Sequence, residues 1–222
     1  MKKMLAIFER DIALAFRAGG GAINSVVFLA LTVLIFALAV GPDRARLAAS
    51  AAPILWTAAT LAAMLSFDSI FQADFEDGSL DVLAEATESL GFVAVSKAAA
   101  HWVSALLPLI LATPPLAVLL GLPAAAYFPL VISLAVATPA LSLLGVLASA
   151  LALSLRRASI LMTILTAPLL TPAVIFGVAA ANAGAENSPL FGPLLMLLAA
   201  FTLLFLIAMP LAAGAALRFN ID

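Results

Sequence analysis

The chain has 222 residues, of which 65% are hydrophobic and 10% charged, with a mean hydropathy of +1.23 and a formal net charge of −2. A soluble domain of this size averages about half apolar and about a quarter charged residues, so the composition excludes a soluble protein and indicates an integral membrane protein. Cysteine is absent, which excludes disulfides, Cys-based zinc ribbons, iron–sulfur clusters and Cys-based haem attachment.

The first predicted element is an amphipathic helix over residues 2–18. Its basic residues Lys3, Arg10 and Arg17 recur at a spacing of seven, so they share one face of the helix. Such a helix lies on the membrane surface with its basic side among the lipid headgroups. The alternative is the polar start of the first spanning helix. A cleaved signal peptide is not expected, because the charged residues 9–11 interrupt the apolar core that it requires.

Six apolar stretches follow, and most reach the length of about 20 residues that a spanning helix needs. Together with the first helix they form a single permease domain over residues 1–222, and their predicted bounds are 22–40, 53–71, 101–120, 128–155, 158–181 and 189–217. No Asp, Glu, Lys, Arg or His is expected at mid-membrane depth, although pumps and ion-coupled carriers normally keep an ionisable residue there. If this bundle transports a substrate, we therefore expect another protein to supply the driving force.

The distribution of basic residues predicts the orientation in the membrane. Six spans place both termini on one side. The basic residues on that side are Lys2, Lys3, Arg10, Arg17, Lys97, Arg156, Arg157 and Arg218, and those on the other side are Arg44 and Arg46. Because positive residues are retained in the cytoplasm, we expect both termini to be cytoplasmic.

Two features within the spans bear on how the bundle works. Pro168 and Pro172, flanked by two threonines, are the best candidate for a hinge, although proline is common in membrane helices. Polar side chains are few, and they either line a path or, more often, join helices through hydrogen bonds. They are Asn24, Ser25, Ser66, Thr138, Ser142 and Ser149.

The polar connection over residues 72–97 contains the main candidate interaction site. From Ser79 onward its pattern is helical, with Asp77 or Ser79 as the N-cap. The acidic residues that align on one face of this helix are Asp81, Glu85 and Glu88. An acidic helix does not favour an anionic lipid surface, which attracts basic residues.

A groove on a soluble protein is the better partner for this helix, with Leu80 and Leu83 as apolar anchors. The alternative is a solvated loop that only joins two spans. The carboxylates at positions 74, 76 and 77 lack the twelve-residue calcium-loop pattern, so no metal site is expected. No catalytic constellation is found either, which predicts that the chain is not an enzyme.

His101 lies beside Trp102 at the predicted start of the third span. Imidazole is a common axial ligand of haem, so His101 is a candidate haem ligand. An interfacial pair that anchors the helix end is favoured, because His101 has no second histidine as a partner. Lys97, one helical turn earlier, is expected among the headgroups.

Five segments, in order along nearly the whole chain, resemble one family. They are residues 8–17, residues 71–80 with the acidic Asp-Gly-Ser-Leu sequence, Lys97-x-x-x-His101-Trp102, residues 138–145, and Pro172-x-x-Ile175-Phe176-Gly177. Together they resemble the haem exporter protein B family, the membrane subunit of the cytochrome c maturation (Ccm) system. The acidic loop is the most specific of the five.

The resemblance implies an all-α, six-helix bundle of the ABC-2 permease type with an N-terminal interfacial helix. It also implies a place in the bacterial inner membrane and a separate cytoplasmic ATPase, protein A of the system, that binds ATP. Membrane subunits C and D would share the complex, which would export haem or release a haem-loaded periplasmic chaperone. The tryptophan-rich haem motif of protein C is missing here, so no directly bound cofactor is expected, and no nucleic acid.

The resemblance and the residue pattern together predict a coupling element that contacts the ATPase. Its candidate residues are Asp74, Glu76, Asp77, Gly78, Leu80 and Leu83. The basic N-terminal helix is expected to complete the contact. Two functions remain open: an ATP-driven permease subunit, or a non-transporting scaffold that relays conformational change to the haem-handling subunit. A secondary carrier is disfavoured.

Overall fold

The computed structural model describes residues 2–18, 21–87, 89–153 and 158–221, which form ten α-helices and no β-strand. The helices are α1 (Lys2–Ala18), α2 (Gly21–Val40), α3 (Arg44–Leu65), α4 (Ser69–Glu76), α5 (Ser79–Ala86), α6 (Leu90–His101), α7 (Leu107–Leu119), α8 (Tyr127–Ala152), α9 (Ala158–Ala185) and α10 (Phe191–Ile221). A π-helical turn, Trp102–Leu106, joins α6 to α7, and a 3₁₀ turn, Ala124–Ala126, precedes α8.

Within the described residues, six helical segments are long and apolar enough to cross a membrane. We call them the first to sixth spans, and they run over Ile23–Val40, Arg44–Glu76, Leu90–Leu119, Ala124–Ala152, Met162–Ala185 and Phe191–Asn220. The prediction of an all-α membrane protein with six spans is therefore confirmed.

The second and third spans are longer than predicted. The second continues through α4 to Glu76 rather than ending near residue 71, and the third begins at Leu90 rather than at His101. The apolar pattern of the sequence misses these extensions because each carries polar and charged residues beside its buried apolar face. The predicted loop over residues 72–97 is accordingly confined to the region between α4 and α6.

Helix α8 is the centre of the bundle. All ten residues from 141 to 150 are buried, and α8 contacts α3, α4, α6, α9 and α10. Its hydroxyls join these helices: Ser133 accepts from Trp56 Nε1 at 3.2 Å, Thr138 accepts from Trp102 Nε1 at 3.0 Å, and Ser149 accepts from a backbone amide of α4 at 3.3 Å.

The other predicted polar positions differ in their surroundings. Ser66 and Ser142 hydrogen-bond to His101, so they also join helices. Asn24 is exposed, whereas Ser25 is buried and its hydroxyl has no hydrogen-bond partner among the described residues. Four of the six residues therefore have the helix-joining role that was favoured from the sequence.

Close packing fixes α9 against α3. A Cβ atom added at Gly177 would lie 2.2 Å from Cζ2 of Trp56, which is fully buried. The helix continues through Pro168 and Pro172, so the proposed hinge is an unbroken helix in this conformation. Bending there stays a prediction.

Candidate functional site

The turn between α4 and α5 is held by local hydrogen bonds. Gly78 has a φ of +75°, a conformation that glycine adopts without the steric cost of a side chain. The N-cap of α5 is Gly78 rather than the predicted Asp77 or Ser79, although the backbone amide of Ser79 donates to Asp77 Oδ1 at 2.8 Å. Hydrogen bonds from Ser79 lower the pKa of the exposed Asp77 carboxyl, which keeps it ionised.

The loop presents an acidic and apolar surface to its surroundings. Its exposed residues, which we call the loop face, are Phe75, Glu76, Asp77, Gly78, Asp81 and Val82. Glu85, one turn further along α5, is exposed as well, and Glu88 lies outside the described residues. Three of the six predicted coupling residues, Glu76, Asp77 and Gly78, therefore lie where a partner could reach them.

The other predicted coupling residues have different positions. Leu80 is only 2% exposed and packs into the core of this chain, so its assignment as an outward anchor is wrong for this conformation. Leu83 is half-buried against the same core. The apolar side chains that do face outward are Phe75 and Val82, which are 40% and 64% exposed.

Asp74 is buried rather than presented to a partner. Its side chain is 7% exposed and pairs with Lys97 and with Arg10, whose Nη2 lies 2.8 Å from Asp74 Oδ1. Ser79 Oγ, at the start of α5, donates to the same Oδ1 at 2.9 Å. Asp74 therefore joins three other elements of the chain internally.

Lys97 does not reach the headgroups, and that prediction is wrong. Its side chain is 4% exposed, and Nζ lies 2.9 Å from Asp11 Oδ2 and 3.0 Å from the carbonyl oxygen of Ile70. The ammonium also lies 5.1 Å from the centre of the Phe71 ring, a cation–π distance. The carboxylates of Asp11 and Asp74 take the place of the water molecules that would hydrate the ammonium group at the membrane surface.

Helix α1 forms over the predicted residues, but its basic stripe is divided. Lys3 and Arg17 are exposed. Arg10 turns towards the bundle, and its Nη2 contacts Asp11 Oδ1 at 2.7 Å and Asp74. Partial burial lowers the pKa of Arg10, but the two carboxylates outweigh it and the net pKa is raised.

His101 lies inside the bundle, so the prediction of an interfacial anchor is wrong. Nε2 lies 2.9 Å from Ser66 Oγ, and Nδ1 lies 2.8 Å from Ser142 Oγ. Ser66 Oγ already donates to the carbonyl oxygen of Ala63 at 2.6 Å, so the Nε2 contact is made by a proton on the histidine. Neither ring nitrogen is free to ligate a metal in this arrangement.

No ionisable residue was expected at mid-membrane depth, and that expectation stays a prediction. Asp74, Lys97 and His101 all lie within the second and third spans. Each is bound to other side chains of this bundle, and all three line a cavity of about 270 Å³. This cavity opens between α1, α4 and α6, next to the coupling loop, and its remaining polar side chains are Asp11, Ser66, Ser69 and Ser104.

Sequence reasoning missed Asp11, Phe75 and Val82 as parts of this site, and it gave Ser79 only a capping role. A signal was available for Asp11, since an acid between basic residues of an amphipathic helix needs a cationic partner. Lys97 gave a second signal, because a lysine in a long apolar helix needs an acidic partner such as Asp11.

Comparison with known proteins gives a consistent result over the whole chain. Residues 2–220 match the family model described as CcmB protein. A protein named Heme exporter protein B from Bradyrhizobium diazoefficiens is 42% identical over 222 residues, which is all of both chains. Proteins of the same name from Rhodobacter capsulatus and Escherichia coli K12 are 45% and 34% identical, covering 98% and 97% of this chain and 100% and 98% of their own.

Proposed function

Because the chain belongs to the CcmB protein family, we propose that it is the membrane subunit of a haem exporter that serves cytochrome c biogenesis. The relatives are bacterial and the six spans make this a multi-pass membrane protein. We place it in the inner membrane with both termini, α1 and the loop face in the cytoplasm, because most basic residues lie at that end.

The second part of the proposal is that a separate cytoplasmic ATPase drives the bundle through the loop face. Three exposed carboxylates surround two exposed apolar side chains, Phe75 and Val82. A partner groove with a basic rim and an apolar centre would complement this surface. Exposure of these two apolar side chains among exposed carboxylates is the observation that carries the proposal.

The chain itself is proposed to carry no ATPase activity and no bound cofactor. ATP belongs to the partner subunit, and haem is the substrate of the complex. Membrane subunits C and D are the expected neighbours, and a haem-loaded periplasmic chaperone is the expected recipient of the conformational change.

A scaffold role remains the second candidate, and the packing of the bundle supports it. The cavity between the second, third and fourth spans, lined by Thr60, Leu109 and Thr138 among others, has a volume of about 10 Å³. This is about the space of a single water molecule. In this conformation haem would have to move along an outer face or a subunit interface rather than through this part of the bundle.

The experiment is a double charge reversal, Glu76→Lys with Asp77→Lys, in the complete complex. We expect loss of co-purification of the ATPase and loss of cytochrome c maturation, because two repulsive charges would face the basic rim. The matched control is Glu186→Lys, an exposed acid at the opposite end of the bundle. Unchanged co-purification and maturation in the double variant would contradict the coupling role.

A further inference from the structure

The four charged residues beside the loop form one ion cluster, defined as Arg10, Asp11, Asp74 and Lys97. Lys97 contacts both carboxylates, and Arg10 lies 2.7 Å and 2.8 Å from Asp11 Oδ1 and Asp74 Oδ1. These residues come from α1, α4 and α6, which are distant in sequence. Ser79 extends the cluster to α5 by donating to Asp74 at 2.9 Å.

The cluster is complete without a ligand. The ammonium of Lys97 has three donors, and it has three acceptors: the carboxylates of Asp11 and Asp74 and the backbone carbonyl of Ile70. Two acids and two bases give no formal net charge. The cluster is therefore an internal connection between helices rather than a binding site for an ion.

Such a cluster is an inefficient way to gain stability. Buried charges lose their hydration, and apolar residues of similar volume often stabilise a fold equally well. In some proteins buried polar or ionic groups instead fix the register of the elements that carry them, because charge pairing tolerates few alternative arrangements. Here the fixed elements are the interfacial helix, the loop and the third span.

We propose that Asp74 and Lys97 are positioning residues that make α1, α5 and the third span move as one unit. The inference rests on the proposed contact between the loop face and an ATPase. Asp74 lies immediately before the loop face, and it is bonded to the first residue of α5. Any displacement of α5 by the partner is then transmitted through Asp74 to α1 and through Lys97 to the third span.

The test uses the absence of cysteine from the chain. Spin labels on Ala13→Cys in α1 and Glu85→Cys in α5, both exposed positions, report the distance between these helices in the intact complex. Other subunits must carry no reactive cysteine. With the cluster intact, we expect one narrow distance peak that stays narrow when a non-hydrolysable ATP analogue is added.

The neutral variant Asp74→Asn with Lys97→Met keeps the Arg10–Asp11 pair and removes the link. We expect the peak to broaden even without nucleotide and maturation to fall, while the ATPase still co-purifies. The single variant Asp74→Glu keeps Lys97 and the negative charge, so its distance peak should be narrow. If the neutral variant does not fold, Ser79→Ala removes only the bond to α5 and should broaden the peak in the same way.

An unchanged, narrow peak in the neutral variant, or in Ser79→Ala where that variant is used instead, would overturn the inference. This outcome is distinct from failure of the coupling role. The nucleotide-free distance tests the cluster without any ATP-driven step, whereas failure of the coupling role appears as normal ATPase binding after charge reversal at Glu76 and Asp77.

Discussion

Removing Lys97 alone should destabilise the chain strongly, and removing Asp74 with it should recover much of the loss. Lys97→Met leaves two carboxylates, 12% and 7% exposed, with Arg10 as their one remaining cation. Breaking a buried pair in this way costs about 3–5 kcal/mol. Because Arg10 still compensates one charge, we expect a value at the lower end, about 3 kcal/mol.

The double variant Lys97→Met with Asp74→Asn restores charge balance, so its loss should be about 1 kcal/mol or less. The second substitution should therefore recover about 2 kcal/mol of the loss caused by Lys97→Met. The coupling energy between the two positions is this recovery plus the loss measured for Asp74→Asn alone. The measurement is the free energy of unfolding of the detergent-solubilised chain for the wild type, both single variants and the double variant.

Arg44→Met is the matched control, because Arg44 is exposed at the opposite end of the bundle. Its effect should stay within about 0.5 kcal/mol. Equal losses in the single Lys97 variant and the double variant would refute the reasoning, because the stranded carboxylate would then have no energetic consequence.

Further predictions concern two buried contacts and the backbone of the turn before α5. Gly177→Ala should lower the free energy of unfolding by about 1–3 kcal/mol, because its Cβ would lie 2.2 Å from buried Trp56. Gly192→Ala, a helical glycine with no atom within 4 Å of the added Cβ, is the control and should be neutral or stabilising by up to about 1 kcal/mol. His101→Ala should cost about 2 kcal/mol or more in the same unfolding assay, since it leaves two buried hydroxyl contacts unmade. Gly78→Ala should cost about 1–2 kcal/mol through its left-handed backbone, and reduced ATPase co-purification would show that the turn orders the loop face.

The number of spans could be predicted from the sequence because long apolar runs have few alternatives in a bilayer. The extensions of the second and third spans could not be predicted in this way. Helices α4 and α6 bury one face, but acids, a lysine and serines on their other faces interrupt the apolar pattern. The sequence shows that Lys97 lies in an apolar helix and needs a partner, but it does not show that Asp11 and Asp74 reach it, so a position among the headgroups was predicted.

The candidate site could be predicted in outline but not in orientation. The acidic turn followed from local chemistry, because Asp77 and Gly78 act within a few residues, but its N-cap is Gly78 rather than a neighbouring residue. Which side of α5 faces the bundle depends on packing, and Leu80 is buried while Val82 is exposed. Similar apolar residues two positions apart gave no basis for choosing between them.

The most direct test of the central claim is site-specific photo-crosslinking from Val82 in the assembled complex. We expect a covalent adduct with the ATPase subunit, and little adduct from the same probe at exposed Ala125, at the opposite end of the bundle. Adducts confined to lipid, or an ATPase adduct from Ala125 instead of Val82, would contradict this claim.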